Sequence, residues 1–409
     1  MNKQPLKVVL LDDDYARASS WANDIHAAQG CDAVAPPVDQ VRDLIGVLFR
    51  RRKLGRQDGN IWTVPCDLLD SSDILIIDYD LQNLDQDGEW TTGSEVAYAA
   101  RIASKAKSIV VVNQRGTNRF DLTMTKGAES RADLDIGSVQ LTNPGLWASS
   151  GFEGYRPWAW PNLLKEPARA EQSVAFVAEH FDEPVLAALG FNDDAATGRS
   201  LRPELWGKLC TQTNMTFRQL VIPEDESSAV HVLFADRHVY QNDDPLAAAV
   251  AAAIVRRWLE KWVLPNQDVL ADAPHFAVRF PWLMKSPAEE AQWHLLETLE
   301  SPEAFVDDAA VFKFTPECFF SRPVFWADAV DVSDAVQRPD EFDYEAIPEL
   351  VFREDVSNFG APEISRDFPS QVSSIDNRRW ISEPSLEPQR EGSQDVRTVV
   401  FEPQSLLLG

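Results

Sequence analysis

The sequence predicts an α/β fold that opens with a doubly wound parallel sheet, and two short runs carry the prediction. Val8-Val9-Leu10-Leu11 ends in Asp12-Asp13-Asp14, and Ile74-Leu75-Ile76-Ile77 ends in Asp78-Tyr79-Asp80. An unbroken run of branched or leucine side chains describes a strand buried on both faces, as inside a parallel sheet. The acids then stand at the carboxyl ends of their strands, the edge where open α/β sheets bind ligands. Two such strands side by side would gather Asp12, Asp13 and Asp78 into one small pocket. Carboxylates about 4 Å apart repel by roughly 4 kcal/mol at an effective dielectric near 20, so the pocket calls for a cation. Mg²⁺, which takes oxygen ligands and pairs with phosphate, suits it. The other reading makes these acids solvated strand ends or helix caps.

A helix is expected over residues 38–52, ending in Arg50-Arg51-Arg52-Lys53, where cations favour the carboxyl end of the dipole. A docking site for an acidic partner is the alternative for that basic run. Residues 55–60 read as a surface excursion, longer than an ordinary connection. The loop 82–92 adds Asp85, Asp87 and Glu89, which either tune cation affinity or are solvated. Ser108 to Val112 is a further strand run, and the last strand is Asp133 to Ile136 or Ser138 to Thr142. Val174, Phe176, Val177, Phe181 and Val185 form an apolar stripe that predicts a helix over residues 170–189. Leu246 to Val255 is apolar and Ala-rich, but Arg256 and Arg257 close it at about half the roughly 20 residues that a membrane span needs. Asp243 and Asp244 before it and the arginines after it match the dipole of a buried helix in a water-soluble domain.

The N-terminal portion resembles the receiver domain of two-component response regulators. The likeness rests on LKVVLLDDDYARASSW, DILIIDYDL, GSEVAYAARI and KSIVVVN. It implies a flavodoxin-like (receiver-like) sheet over residues 1–148. It also implies Mg²⁺ on Asp12, Asp13, Asp78 and the backbone carbonyl of Asp80, with Asp78 accepting a phosphoryl group from a histidine kinase. Two departures make the receiver atypical. Asn113 stands at the switch position where the family has Thr or Ser, and an amide does not reproduce a hydroxyl. After the last strand come Gly137-Ser138 or Asn143-Pro144, so neither placement supplies the family's Lys; Lys126 lies in the preceding connection.

A formal net charge of -27 argues against nucleic acid as the main ligand, because a phosphate backbone repels an acidic surface. Cys31, Cys66, Cys210 and Cys318 have no metal spacing and read as reduced thiols. No signal peptide precedes the first strand, so a cytoplasmic, non-membrane protein is expected. The 409 residues leave room for more. A mostly helical domain of unknown type is expected over 149–335, opened by an aromatic and Pro-rich stretch, 151–161, that reads as a hinge, a docking surface or a base-stacking platform. An extended acidic C-terminal segment is expected over 336–409. From Asp331 onward there are 17 Asp and Glu, 7 Arg and no Lys, so a core of its own is not expected. Phe342, Phe352, Phe359, Trp380 and Phe401 are spaced as anchors that would wrap it along a folded surface. His231, Asp236 and His238, and Asp272 with His275, are acid–base candidates that match no triad or metal motif. Three functions stay open. One is phosphorelay signalling through protein contacts, as an oligomer or in a larger assembly. Another is a pseudo-receiver adaptor or structural subunit that is never phosphorylated. The least favoured is an effector enzyme under receiver control.

Overall fold

A computed structural model describes residues 5–27, 30–81, 84, 92–113, 132–141, 144–147, 162–191, 203–223, 236–264, 270–272, 280–284, 290–296, 316–321, 324–326, 330, 336, 351–353, 358–368 and 379–382. Strands β1 (Leu6–Leu11), β2 (Cys31–Val34), β3 (Ile74–Asp78), β4 (Ser108–Asn113) and β5 (Leu134–Gly137) form one sheet in the order β2-β1-β3-β4-β5. All neighbours in it run parallel. The chain moves outward from β1 to β2 and then crosses back to place β3 on the other side of β1. The crevice where that direction reverses, at the carboxyl ends of β1 and β3, is the position such sheets give to ligands.

Among the described residues, these strands are accompanied by α-helices α1 (Tyr15–Ala27), α2 (Val38–Gly55), α3 (Asp67–Asp70), α4 (Gly93–Ala103), α5 (Ser138–Leu141) and α6 (Pro144–Trp147). Side chains alternate across a strand, so each apolar run feeds two cores. Val8, Leu10, Ile74 and Ile76 pack with Trp21, Ala22 and Ile25 of α1 and with Leu141 and Trp147. Val9, Leu11, Leu75 and Ile77 pack on the opposite face with Leu44 and Leu48 of α2 and Val96 and Ala100 of α4.

The basic end of α2 is not merely a dipole cap. Arg51 is fully buried, forks onto Asp70 at 2.8 and 2.6 Å, and also donates to the carbonyls of Val64 and Ala103. It ties α2, α3 and the end of α4 together. The helix runs on to Gly55, and Asp58 then takes a left-handed conformation (φ 58°) in the turn that follows, which Asp tolerates better than most side chains.

Beyond residue 161 lie α7 (Glu166–Glu179), α8 (Val185–Leu189), α9 (Pro203–Trp206), α10 (Phe217–Val221), α11 (Arg237–Tyr240) and α12 (Asp244–Trp258). The single helix expected over 170–189 is two, because Pro184 has no N–H to continue the ladder and instead precedes α8. The stretch read from Leu246 to Val255 lies within α12, whose first turn is capped by Asp243 accepting from the Leu246 N–H at 3.1 Å. Val177, Phe217, Val250, Ala251 and Val255 share one buried cluster with Ile61, Tyr98, Ile102 and Ala103, so these helices and the α4 side of the sheet body have a common core. The described residues that follow include α13 (Glu290–Leu296), α14 (Pro316–Phe319) and the antiparallel pair β6 (Leu270–Asp272) and β7 (Val324–Trp326). Among the described residues no helix is long and apolar enough to cross a membrane.

The C-terminal segment differs from a plain extended wrap. Strands β8 (Val351–Arg353), β9 (Asn358–Gly360), β10 (Ser365–Phe368) and β11 (Arg379–Ser382) form a four-stranded sheet in the order β10-β11-β8-β9. Phe352 and Phe359, read as separate anchors, are register partners, and Trp380 pairs with Arg353. Aromatic residues are enriched in strands. Phe342, Phe401, the stretch 151–161 and the boundary drawn at 148 lie outside the described residues, as do Asp85, Asp87, Glu89, Lys126, His231 and His275.

Candidate functional site

The pocket is built by the ends of β1 and β3. Leu11 pairs with Ile77, so Asp12 and Asp78 leave the sheet side by side. Both are buried, at 2% and 1% exposure, and Asp13 is half-buried. One carboxylate oxygen from each of the three lies within 4.8 Å of the other two. A trio so placed is able to hold a metal ion. The turn after it is organised by its own acids: the Asp14 N–H donates to Asp12 Oδ1 at 2.8 Å, and Asp14 Oδ1 accepts from the Arg17 N–H at 3.1 Å, opening α1.

That opening brings Arg17 into the pocket. Cα–Cβ bonds in a helix tilt toward its N-terminus, so a first-turn side chain reaches back over the residues before it. Arg17 Nε donates to Asp12 Oδ2 at 2.9 Å, and Nη2 donates to Asp12 Oδ1 at 2.5 Å and to Asp78 Oδ2 at 2.7 Å. The same Nη2 stands 3.4 Å from Asp13 Oδ1. The pairing with Asp12 is the forked arrangement that carboxylates and guanidinium favour. One nitrogen in contact with all three acids sits where a shared metal ion would sit. The donors, all carboxylate oxygens, suit a hard divalent cation, yet guanidinium and ion are alternatives for one place.

Burial pushes the Asp12 carboxyl above its ordinary range, and the hydrogen bonds from Arg17 and from the Asp14 N–H offset that only in part. Burial also opposes the charge on Arg17, but its contacts with Asp12 and Asp78 outweigh it and hold the guanidinium more firmly protonated.

The remaining predicted residues fall at the same sheet edge. Asp80 is half-buried in the segment leaving β3. Asn113 ends β4, in register with Gly137 at the end of β5. Ser138, the first residue of α5, follows directly, so the last strand is the earlier of the two placements and no Lys stands after it. Gly93 opens α4 against β3: its N–H donates to the Tyr79 carbonyl at 2.8 Å, and a Cβ there would come within 2.0 Å of the Asp78 carbonyl oxygen. Only glycine permits that approach.

Asp236 and His238 do not form an acid–base pair. The buried Asp236 carboxylate accepts from Arg52, Arg56 and Tyr98, while His238 Nδ1 faces Asp58 at 3.2 Å. Asp272 belongs to β6, away from this constellation in the sheet pairing. Arg17 is the residue that reasoning from the acids alone misses. Its signal is local: a cation in a first helical turn opposes the dipole, and so calls for acids nearby. Comparison with protein-family models, with curated proteins and with solved structures gives no match to this chain.

Proposed function

We propose that this chain is an atypical receiver-like signalling protein that works through protein contacts. The observation that carries the reading is the order β2-β1-β3-β4-β5 with Asp12, Asp13 and Asp78 gathered at its reversal point. Flavodoxin-like sheets share that order and place their ligand there. In this reading Asp78 is the nucleophile that takes a phosphoryl group from a histidine kinase. Mg²⁺ on Asp12, Asp13, Asp78 and the Asp80 carbonyl would offset charge on the transferring oxygens. Asn113, at the end of β4, stands where such a domain has Thr or Ser. Helix α4 supports a route for the change, since Gly93 at one end abuts Asp78, Tyr98 further along donates to Asp236, and Arg101 shares Asp133 with Arg256 of α12.

An adaptor that is never phosphorylated is the second reading, and Arg17 favours it, because Asp78 is already paired with a cation. Incubation with acetyl phosphate and Mg²⁺, followed by intact-mass measurement, separates the two. One labile phosphoryl adduct in the wild type, lost in Asp78→Asn, is the expected result. Absence of an adduct, with partner capture unaltered by Asp78→Asn, selects the adaptor.

A further inference from the structure

We propose that Arg17 is a built-in counter-cation that keeps divalent metal out of the acidic pocket until its guanidinium swings away. The contacts define a shared place, since Nη2 touches an oxygen of Asp12, Asp13 and Asp78 while Nε takes the second oxygen of Asp12. An ion ligated by all three acids cannot coexist with that nitrogen.

Burial says which partner moves. The side chains of Asp12 and Asp78 are 1% and 0% exposed and leave the ends of two paired central strands, whereas that of Arg17 is 27% exposed. Rotation about the bonds of the Arg17 side chain carries the guanidinium into solvent without disturbing the sheet. Its position in the first turn of α1 also means that the helix dipole disfavours it, so its hold draws on the acids and on the Trp21 ring, whose centroid lies 5.4 Å from its Cζ. Attraction scales with charge, so a divalent ion at the same place gains more from three carboxylates than a guanidinium does. The pocket is therefore a competition between a tethered monovalent cation and a free divalent one.

This deepens the receiver-like reading and rests on it for its consequence, namely that metal entry, and with it any chemistry at Asp78, is gated from within the chain. The occupancy claim is tested separately from that chemistry. Mn²⁺ binding to the full-length protein is measured by the loss of free-ion electron paramagnetic resonance signal for wild type, Arg17→Gln, Arg17→Lys and Arg17→Gln/Asp12→Asn. Arg17→Gln should bind at least about tenfold tighter than wild type, a difference within reach of one displaced charge contact. Arg17→Lys should fall between them, because it keeps the charge and loses the fork. The double variant should lose the gain. Thermal melting should show Mn²⁺ raising the midpoint of Arg17→Gln more than that of wild type.

Equal affinity in wild type and Arg17→Gln, or no saturable binding in either, overturns the proposal. Should Arg17→Gln fail to fold even with Mn²⁺, Arg17→Lys decides in its place. The acetyl phosphate experiment tells the two failures apart. Tighter metal binding without a phosphoryl adduct removes the phosphorelay and leaves the gate standing. An adduct formed equally in wild type and Arg17→Gln removes the gate and leaves the phosphorelay.

Discussion

Asp236 gathers more cationic and phenolic donors than any local reading of its neighbours suggests. Arg52 forks onto it at 3.0 and 2.7 Å, Arg56 adds a bond at 2.6 Å, and the Tyr98 hydroxyl donates at 3.0 Å. Burial works to raise its pKa, but the two arginines outweigh it and hold the carboxyl below its ordinary 3.8. A folded pKa below the unfolded one adds stability that is complete above the unfolded value and is lost as pH falls through the folded one. Asp236→Asn should therefore destabilise the protein at neutral pH by about 2–3 kcal/mol, less than the roughly 3–5 of a fully buried broken pair because the arginines reach solvent. Urea unfolding at pH 7 and again below pH 4 checks this, and the gap between variant and wild type should narrow in acid. An equal gap at both values would locate the effect in packing. The sequence exposed Asp236 as an acid beside histidines, but its partners lie 184 and 180 positions away, beyond any local spacing rule.

At the scale of elements, the central strands and the helices α2 and α12 were legible because local physics decides them. Four apolar residues followed by acids read as β1 and β3, and the acids around the Ala-rich run read as α12. What escaped was how elements meet. Helix α4 begins so close to β3 that a Cβ at Gly93 would lie 2.0 Å from the Asp78 oxygen and 2.8 Å from the Tyr79 Cα. Both are backbone atoms, so neither gives way as a flexible side chain would. Gly93→Ala should thus push α4 from the strand end, costing about 1–3 kcal/mol as overpacking does, and should displace Asp78 from the trio. Lowered thermal stability together with Mn²⁺ binding weaker in Arg17→Gln/Gly93→Ala than in Arg17→Gln would show both effects. Loss of stability with unchanged ion binding would mean that the joint matters to the fold and not to the pocket.

At the scale of the whole molecule, a set of ionic contacts among the described residues joins sheet body and helices beside their common apolar core and sits away from the acidic edge. Asp73, Lys107 and Asp133 precede β3, β4 and β5 at the opposite edge of the sheet, where Lys107 bridges Asp73 and Glu171 at 3.0 and 2.8 Å. Asp133 receives Arg101 from α4 and Arg256 from α12, while Arg169 of α7 pairs with Glu166. Burial would raise the Asp133 carboxyl, but Arg101 and Arg256 hold it below its ordinary range. This network was not readable, since Arg256 stands 123 positions from Asp133, and dipole logic accounted for the arginine without naming a buried partner. Its balance means that the sheet body depends on the helices. A chain cut to residues 1–148 would strip Tyr98, Ile102 and Ala103 of their shared core and leave Arg101 and Asp133 without Arg256. Removing one member of a buried ionic set costs roughly 3–5 kcal/mol, a large fraction of a domain's ~5–15 kcal/mol. The fragment should therefore melt well below the full chain and bind a hydrophobic dye, as read by calorimetry and dye fluorescence. A fragment melting at the temperature of the full chain would show that the sheet body stands alone, and α4 would then lose its claim as the route from the pocket to the helices.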